Sequence, residues 1–169
     1  MASDLRLPIG ANGRYVLRAA GIVLLRVGDG EADTQLLMAT NDTVDYLYSV
    51  GGAVEFGETA QEALARELRE ETGTDLPIGG LAAIEQSFFH GWDGHEWHQV
   101  CLCYWVDAPT DFDPCCASSG LNGESERLVW VRQGDLNSGV KLFPVFFAQA
   151  LAGRWEGVHQ YVERNGRYE

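Results

Sequence analysis

Two periods alternate along the chain, one of strands and one of a single strong helix. Tyr15 to Val27, YVLRAAGIVLLRV, is apolar with too little alternation for a half-exposed strand. It predicts a strand covered on both faces. A turn at Gly28-Asp29-Gly30 leads to a second strand, Gln35 to Thr40. Asp42 to Val50 alternates, with Tyr46, Tyr48 and Val50 on one side, and predicts a short strand running into Gly51-Gly52. Two adjacent glycines let a backbone approach a ligand closely. After a connector at Pro77 and Gly79-Gly80, Leu81 to His90 and Glu96 to Asp107 read as strands. Asp93-Gly94 between them is a hairpin signal. In the second of these strands Val100, Leu102, Tyr104 and Val106 share one face, and Cys101, Cys103 and Trp105 the other. Pro109 to Gly123 reads as a loop and Arg127 to Arg132 as a strand. Pro144 suits the first turn of a helix through about Leu151, closed by Gly153. Val158 to Arg164 predicts a last short strand before Asn165-Gly166. Residues 1–13 form a lead-in, and 14–169 read as one domain without repeats.

The helical period is confined to Thr59 to Gly73. Thr59 stands at N-cap and Glu62 three residues later, the capping-box spacing. Gly73 occupies the left-handed C′ position. At roughly 100° per residue, Ala60, Ala63 and Leu64 make an inward stripe. Glu67, Glu70 and Glu71 fall on or beside that stripe one turn on, whereas Glu62, Arg66 and Arg69 point the other way. Glu67 and Glu71 are a like-charge i,i+4 pair at a helix end that is already negative. A divalent cation reverses the sign of these repulsions, and oxygen ligands suit Mg²⁺ or Mn²⁺. The competing reading is a merely solvated acidic face.

Gly52, five residues, Glu58, seven residues, then Arg66-Glu67-Leu68-Arg69-Glu70-Glu71-Thr72-Gly73 resembles the Nudix box, GX5EX7REUXEEXGU with U aliphatic. Only the last aliphatic position departs, being Thr74. The resemblance implies an α/β fold, the Nudix α/β/α sandwich around a mixed β-sheet. It also implies hydrolysis of a diphosphate linked to another moiety, with Mg²⁺ or Mn²⁺ held by box carboxylates. On this reading Glu67 and Glu71 are metal ligands, and Glu70 is a ligand or activates water. Arg66 orients the glutamates, Glu58 supports them, and the Gly51 or Gly52 carbonyl lies near the metal. Family members often recruit a further glutamate. Glu124 and Glu126 stand just before the RLVWVR strand, with Glu85 and Glu96 as weaker candidates and ordinary loop-edge acids as the alternative.

Charge narrows the partners. The chain has 169 residues and a net charge of −13, which disfavours duplex nucleic acid. A small phosphorylated substrate, nucleotide-derived, is still compatible with such a surface, because a divalent cation can bridge two negative groups. No stretch reaches the ~18 apolar residues of a membrane span, and no secretory pattern opens the sequence. The expectation is a cytoplasmic monomer or homodimer. Cys101, Cys103, Cys115 and Cys116 lack zinc-site spacing and read as thiols of a reducing compartment. His90 to His98, HGWDGHEWH, offers Trp92 and Trp97 for stacking on a nucleobase, or as aromatics packed on the hairpin.

These readings converge on a metal-dependent pyrophosphohydrolase acting on a nucleoside triphosphate, a nucleotide sugar such as ADP-ribose, or a dinucleoside polyphosphate. The alternative is a non-catalytic Nudix-fold module that senses a nucleotide. Such a module would be expected to lose box carboxylates, and this chain keeps them.

Overall fold

The structure is a computed structural model that describes residues 13–28, 34–91, 93–114, 125–164 and 167–168. The expected lead-in up to residue 12, the turn at Asp29-Gly30, Trp92, the stretch 115–124 with Cys115, Cys116 and Glu124, and the Asn165-Gly166 turn lie outside the described residues.

The chain runs β1 (Gly13–Arg26), β2 (Thr34–Thr40), β3 (Leu47–Ser49), β4 (Gly51–Ala53), α1 (Ala60–Thr72), β5 (Ile78–His90), β6 (Glu96–Asp107), β7 (Arg127–Val131), α2 (Gln133–Asn137), β8 (Leu142–Phe143), a 3-10 helix (Val145–Ala152), β9 (His159–Arg164) and β10 (Arg167–Tyr168). Its sheet is mixed, in the order β10-β9-β5-β6-β1-β2-β3-β8, with β4 on β1 and β7 on β2. β1 runs parallel to β6 over its length, from Gly13 opposite Glu96 to Leu24 opposite Asp107. β1 and β2 pair only from Leu24 to Arg26. Away from that contact β1 takes β4 as partner and β2 takes β7, so the sheet divides there.

Each face carries its own core, as the two-residue period dictates. Leu37, Val50, Ala63, Leu64, Leu68, Tyr104 and Val106 form the α1 side. Ile22, Leu24, Met38, Cys103, Trp105, Phe146 and Phe147 form the other, under the 3-10 helix. Helical segments on both faces of a mixed sheet give the α/β sandwich that the sequence implied. The β6 alternation falls as expected, with Leu102, Tyr104 and Val106 toward α1 and Cys101, Cys103 and Trp105 away.

Several elements differ from expectation. β1 is buried on both faces only from Ala19 to Leu25, while Tyr15 and Leu17 are exposed. The strand expected over Asp42 to Val50 shrinks to β3, because the Asn41 side chain accepts from Thr43 N–H (2.9 Å) and closes a turn. Gly51 onward forms β4, an unexpected strand. Gly79 and Gly80 lie within β5, where its pairing with β6 shifts register, and not in a connector. The closing helix is 3-10, with Phe147 N–H bonded to the Pro144 carbonyl three residues back. That winding puts residues three apart on one face, which buries Phe147 and Ala150 together.

α1 matches its sequence closely. Thr59 and Glu62 form the reciprocal capping box, and Gly73 adopts φ 73° with its N–H on the Arg69 carbonyl. Leu64 is fully buried against the sheet. Leu64→Ala should cost about 2–5 kcal/mol and Leu64→Met under about 1.5 kcal/mol. The urea midpoint of each variant, at unchanged m-value, checks this.

Candidate active site

The site is built where β4 crosses the last turns of α1. Gly51 N–H donates to Glu71 Oε2 (2.9 Å). Gly51 has φ 122°, and a Cβ there would stand 2.2 Å from the Ala19 carbonyl. At Gly52 a Cβ would lie 2.2 Å from Glu67 Oε1. Gly51 is therefore required by its φ and by the backbone beside it, whereas a side chain at Gly52 would displace the Glu67 carboxylate from the space it occupies. The Gly51 carbonyl accepts from Arg18 Nη2 (2.9 Å).

Arg66 was expected to point outward. Its side chain instead folds back over the loop before α1. Nη2 and Nε donate to the two oxygens of Glu58 (2.7 and 3.3 Å), and Nη2 also reaches the Ala53 carbonyl (3.1 Å). Nη1 donates to Glu67 Oε1 (2.7 Å) and stands 3.6 Å from Glu70 Oε2. One planar guanidinium thus ties the loop to the helix, a task suited to the rigid arginine fork. Its bonds to Glu58, with the backbone N–H of Glu55 assisting, hold the Glu58 carboxyl below the usual range. Glu62 is taken up by the cap and does not reach Arg66.

The three box carboxylates differ in setting. Glu71 is 8% exposed. Burial pushes its pKa up, the Gly51 N–H opposes, and the charges of Glu126 and Glu67 push further up, to about 8 in sum. Glu67 is mostly covered, while Glu70 is the outermost, with 58% of its side chain exposed. Glu126 comes into the group from just before β7. The Tyr48 hydroxyl donates to Glu126 Oε1 (2.6 Å), and Asn41 Nδ2 reaches the same hydroxyl (3.4 Å). Desolvation, then the bond to Glu126, raises the Tyr48 pKa well above the phenolic value.

Among the described residues no three acidic, histidine or cysteine side chains already form a metal cage. The donor chemistry still fits a hard divalent cation. Glu67 and Glu126 are close enough to raise the cost of ionising Glu71, and carboxylate oxygens are the ligands such ions take.

A cavity of about 600 Å³ opens beside this group. Arg18, Tyr48 and Ser49 line its near side, and Tyr46, Phe89, His90, Phe143 and Pro144 line it elsewhere. Its floor carries Glu85, Ser87, Gln99, Cys101 and Glu163. Tyr48 is therefore shared between the cavity and the carboxylates.

The expected aromatic contribution comes from other residues. Trp97 does not line this cavity. Its ring lies parallel to Phe89 at 6.2 Å, and its Nε1 donates to Asp93 (3.2 Å), so it packs within the hairpin. Glu96 pairs with His90 at the same tip (2.8 Å). Tyr46, Phe143 and Phe89 supply the aromatic walls instead. The alternation around Tyr46 and Tyr48 was a sequence signal for Tyr46 alone. Cys101 and Cys103 are buried free thiols with sulfurs 3.8 Å apart. No helix of the described residues is long and apolar enough to cross a membrane.

A family model described as the NUDIX domain matches residues 16–149. A Caenorhabditis elegans protein provisionally named nudix hydrolase 1 is 38% identical over 77 residues, which cover 44% of this chain and 20% of that one. The chain thus spans about a fifth of that relative's length. Among solved structures, a mutator MutT protein from Bacillus halodurans superposes with TM-score 0.60 at 14% identity, covering 90% of this chain and 94% of that one. The NUDIX domain of Shewanella oneidensis NrtR, solved with ADP ribose, superposes with TM-score 0.59 at 14% identity, covering 80% and 87%.

The Glu71 setting makes a pH prediction. Its carboxyl is held at about 8 in the fold against 4.5 in the unfolded chain. The folded state therefore binds the extra proton between these values. Stability of the metal-free protein should be highest below pH 4.5 as far as this group is concerned, and be lost as pH rises through 8, by on the order of a few kcal/mol. Glu71→Gln keeps an oxygen for the Gly51 N–H and removes the charge. In EDTA it should melt above wild type, with a gap that widens from pH 5 to pH 8. Thermal unfolding at both pH values reads this; a gap that does not widen counts against the buried-charge account.

Proposed function

The chain belongs to the Nudix family, and on that premise we propose that it hydrolyses the diphosphate linkage of a small nucleoside-diphosphate-linked compound with a divalent cation. The observation that carries this reading is the convergence of Glu67, Glu71 and Glu126 around Gly51, at the edge of a cavity large enough for a nucleoside. Glu67 and Glu71 are the principal candidates to hold Mg²⁺ or Mn²⁺, with Glu70, Glu126 and the Gly51 carbonyl as further oxygens. Such a cation neutralises phosphate charge and makes bound water a better nucleophile.

The chain's own groups do the rest of the positioning. Arg66 fixes the Glu67 carboxylate through a 2.7 Å bond. The Gly51 N–H fixes Glu71. Tyr48 fixes Glu126, and through it the cavity wall is joined to the reacting end. Glu126 and Glu70 are the candidates to take the proton from water. Nucleotide-derived substrates are also in keeping with the fold neighbour solved with ADP ribose. A binding module without turnover remains the alternative, and retention of the box carboxylates weighs against it.

The test is a hydrolysis screen of nucleoside triphosphates, nucleotide sugars and dinucleoside polyphosphates, with both products measured. Activity should vanish in EDTA and return with Mg²⁺ or Mn²⁺; full activity in a metal-stripped sample would sink the proposal. Glu126→Gln should depress kcat far more than KM. Tyr48→Phe, which removes only the hydroxyl that orients Glu126, should cost roughly 10–100-fold in kcat/KM, as loss of an outer hydrogen bond at such sites does.

A further inference from the structure

Gly51 is engaged at both of its polar atoms. Its N–H donates to Glu71 Oε2 at 2.9 Å, and its carbonyl, a candidate metal oxygen, accepts from Arg18 Nη2 at 2.9 Å. Arg18 comes from β1, opposite Ala53 of β4, and is half-buried there. Among the described residues this is its one side-chain hydrogen bond, which leaves most of its five N–H donors uncommitted. Arg66, by contrast, commits its donors to Glu58, Glu67 and the Ala53 carbonyl. Arg18 also lines the cavity, with Tyr48 and Ser49. A full positive charge thus touches an oxygen that a divalent cation would share. Two cations at one carbonyl repel, and more strongly where water is partly excluded. The same charge favours the ionised form of Glu71, though only weakly against the effect of burial. Arg18 therefore does a little of a metal's work in the empty group of acids and opposes a metal that joins them.

We propose that Arg18 is a positioning residue that keeps the affinity of the substrate-free site for a divalent cation low and couples metal loading to the anionic substrate. The inference rests on the reading of this chain as a metal-dependent diphosphate hydrolase. Carboxylates gathered around one carbonyl on a chain of net charge −13 attract cations whether or not a substrate is present. A guanidinium on that carbonyl restrains this. A diphosphate that enters by the cavity meets a planar fork matched to two phosphate oxygens. Its negative charge offsets the repulsion between Arg18 and the metal. Metal and diphosphate then each favour the binding of the other, as linkage requires. An arginine that only fixed the Gly51 peptide would act with the opposite sign. Losing it would loosen a metal ligand and weaken metal binding. The two roles are therefore separated by the direction in which metal affinity moves when the charge is removed.

Mn²⁺ binding to the full chain without nucleotide, by calorimetry, tests this apart from turnover. Arg18→Gln keeps an N–H for the Gly51 carbonyl and removes the charge. It should bind Mn²⁺ about tenfold or more tighter than wild type. Arg18→Lys keeps the charge and should stay within about threefold of wild type. The preformed Mn²⁺ complex of methylenediphosphonate, a diphosphate analogue that is not hydrolysed, should reverse the order. Arg18→Gln should bind that complex about threefold or more weaker than wild type, having lost the phosphate's partner. Arg18→Ala repeats both titrations where the Gln variant does not fold. Mn²⁺ affinity unchanged or weakened in the neutral variants, or a diphosphonate complex that they bind as well as wild type does, would overturn the proposal. Hydrolysis by wild type beside such a result leaves the hydrolase reading standing. Tighter Mn²⁺ and weaker diphosphonate binding in Arg18→Gln, with no diphosphate hydrolysed in Mg²⁺ or Mn²⁺, supports the Arg18 assignment and removes the hydrolase reading. No Mn²⁺ bound by any of these proteins overturns both.

Discussion

The site depends on one close approach, that of β4 to the C-terminal half of α1. Glu67 lies where a Cβ of residue 52 would be, and Glu71 is held by the N–H of residue 51. Neither contact survives a side chain at those positions. The approach in turn needs β4 to stay paired to β1, with Ala20 opposite Gly51 and Ala19 opposite Gly52. It also needs α1 to stay seated by Ala63, Leu64 and Leu68. The α1 core is thus a clamp that presses carboxylates against a backbone stripped of side chains. Its apolar burial, about 1.5–3 kcal/mol for each large side chain, offsets the cost of crowding the acids.

That cost is distributed unevenly, and the unevenness separates the roles. Glu67 shares the guanidinium of Arg66, which neutralises it. Glu70 is in solvent, where crowding is screened. Glu71 has a backbone N–H and only a small contribution from the Arg18 charge, and sits beside Glu126 as the buried acid of the helix. It is the group whose charge the protein alone supports worst, hence the one for which a bound divalent cation changes most. The fold tolerates this because Glu71 is the only acid of α1 that is buried. Arg66 and the capping box satisfy the other acids on the same helix.

What was legible in the sequence was local. The caps of α1, the Gly51-Gly52 approach and the order of carboxylates follow from spacings of a few residues, and the structure keeps them. The hairpin and the two faces of β6 were legible because a period of two leaves no freedom. What failed was tertiary. Arg66 lies on the outer side by helical angle, yet the loop before α1 returns with Glu58 and draws it back. The tie from Tyr48 to Glu126 spans 78 positions and has no local signature. Trp97 was prominent by composition, but its indole found a partner in its own hairpin. Glu124 and Trp92 fall outside the described residues.

The cavity was the least legible feature, because it arises where a core stops. Along β1, Ala20, Ile22 and Leu24 meet Phe146 and Phe147 under the 3-10 helix. Two residues before Ala20, on the same face, stands Arg18, with Cys101 and Glu85 beside it. The floor changes from apolar to polar within one row. A strand segment carrying Glu85 and Ser87 reads in isolation as a solvated edge. It is instead buried, on a cavity that Tyr46, Phe143 and Pro144 also line.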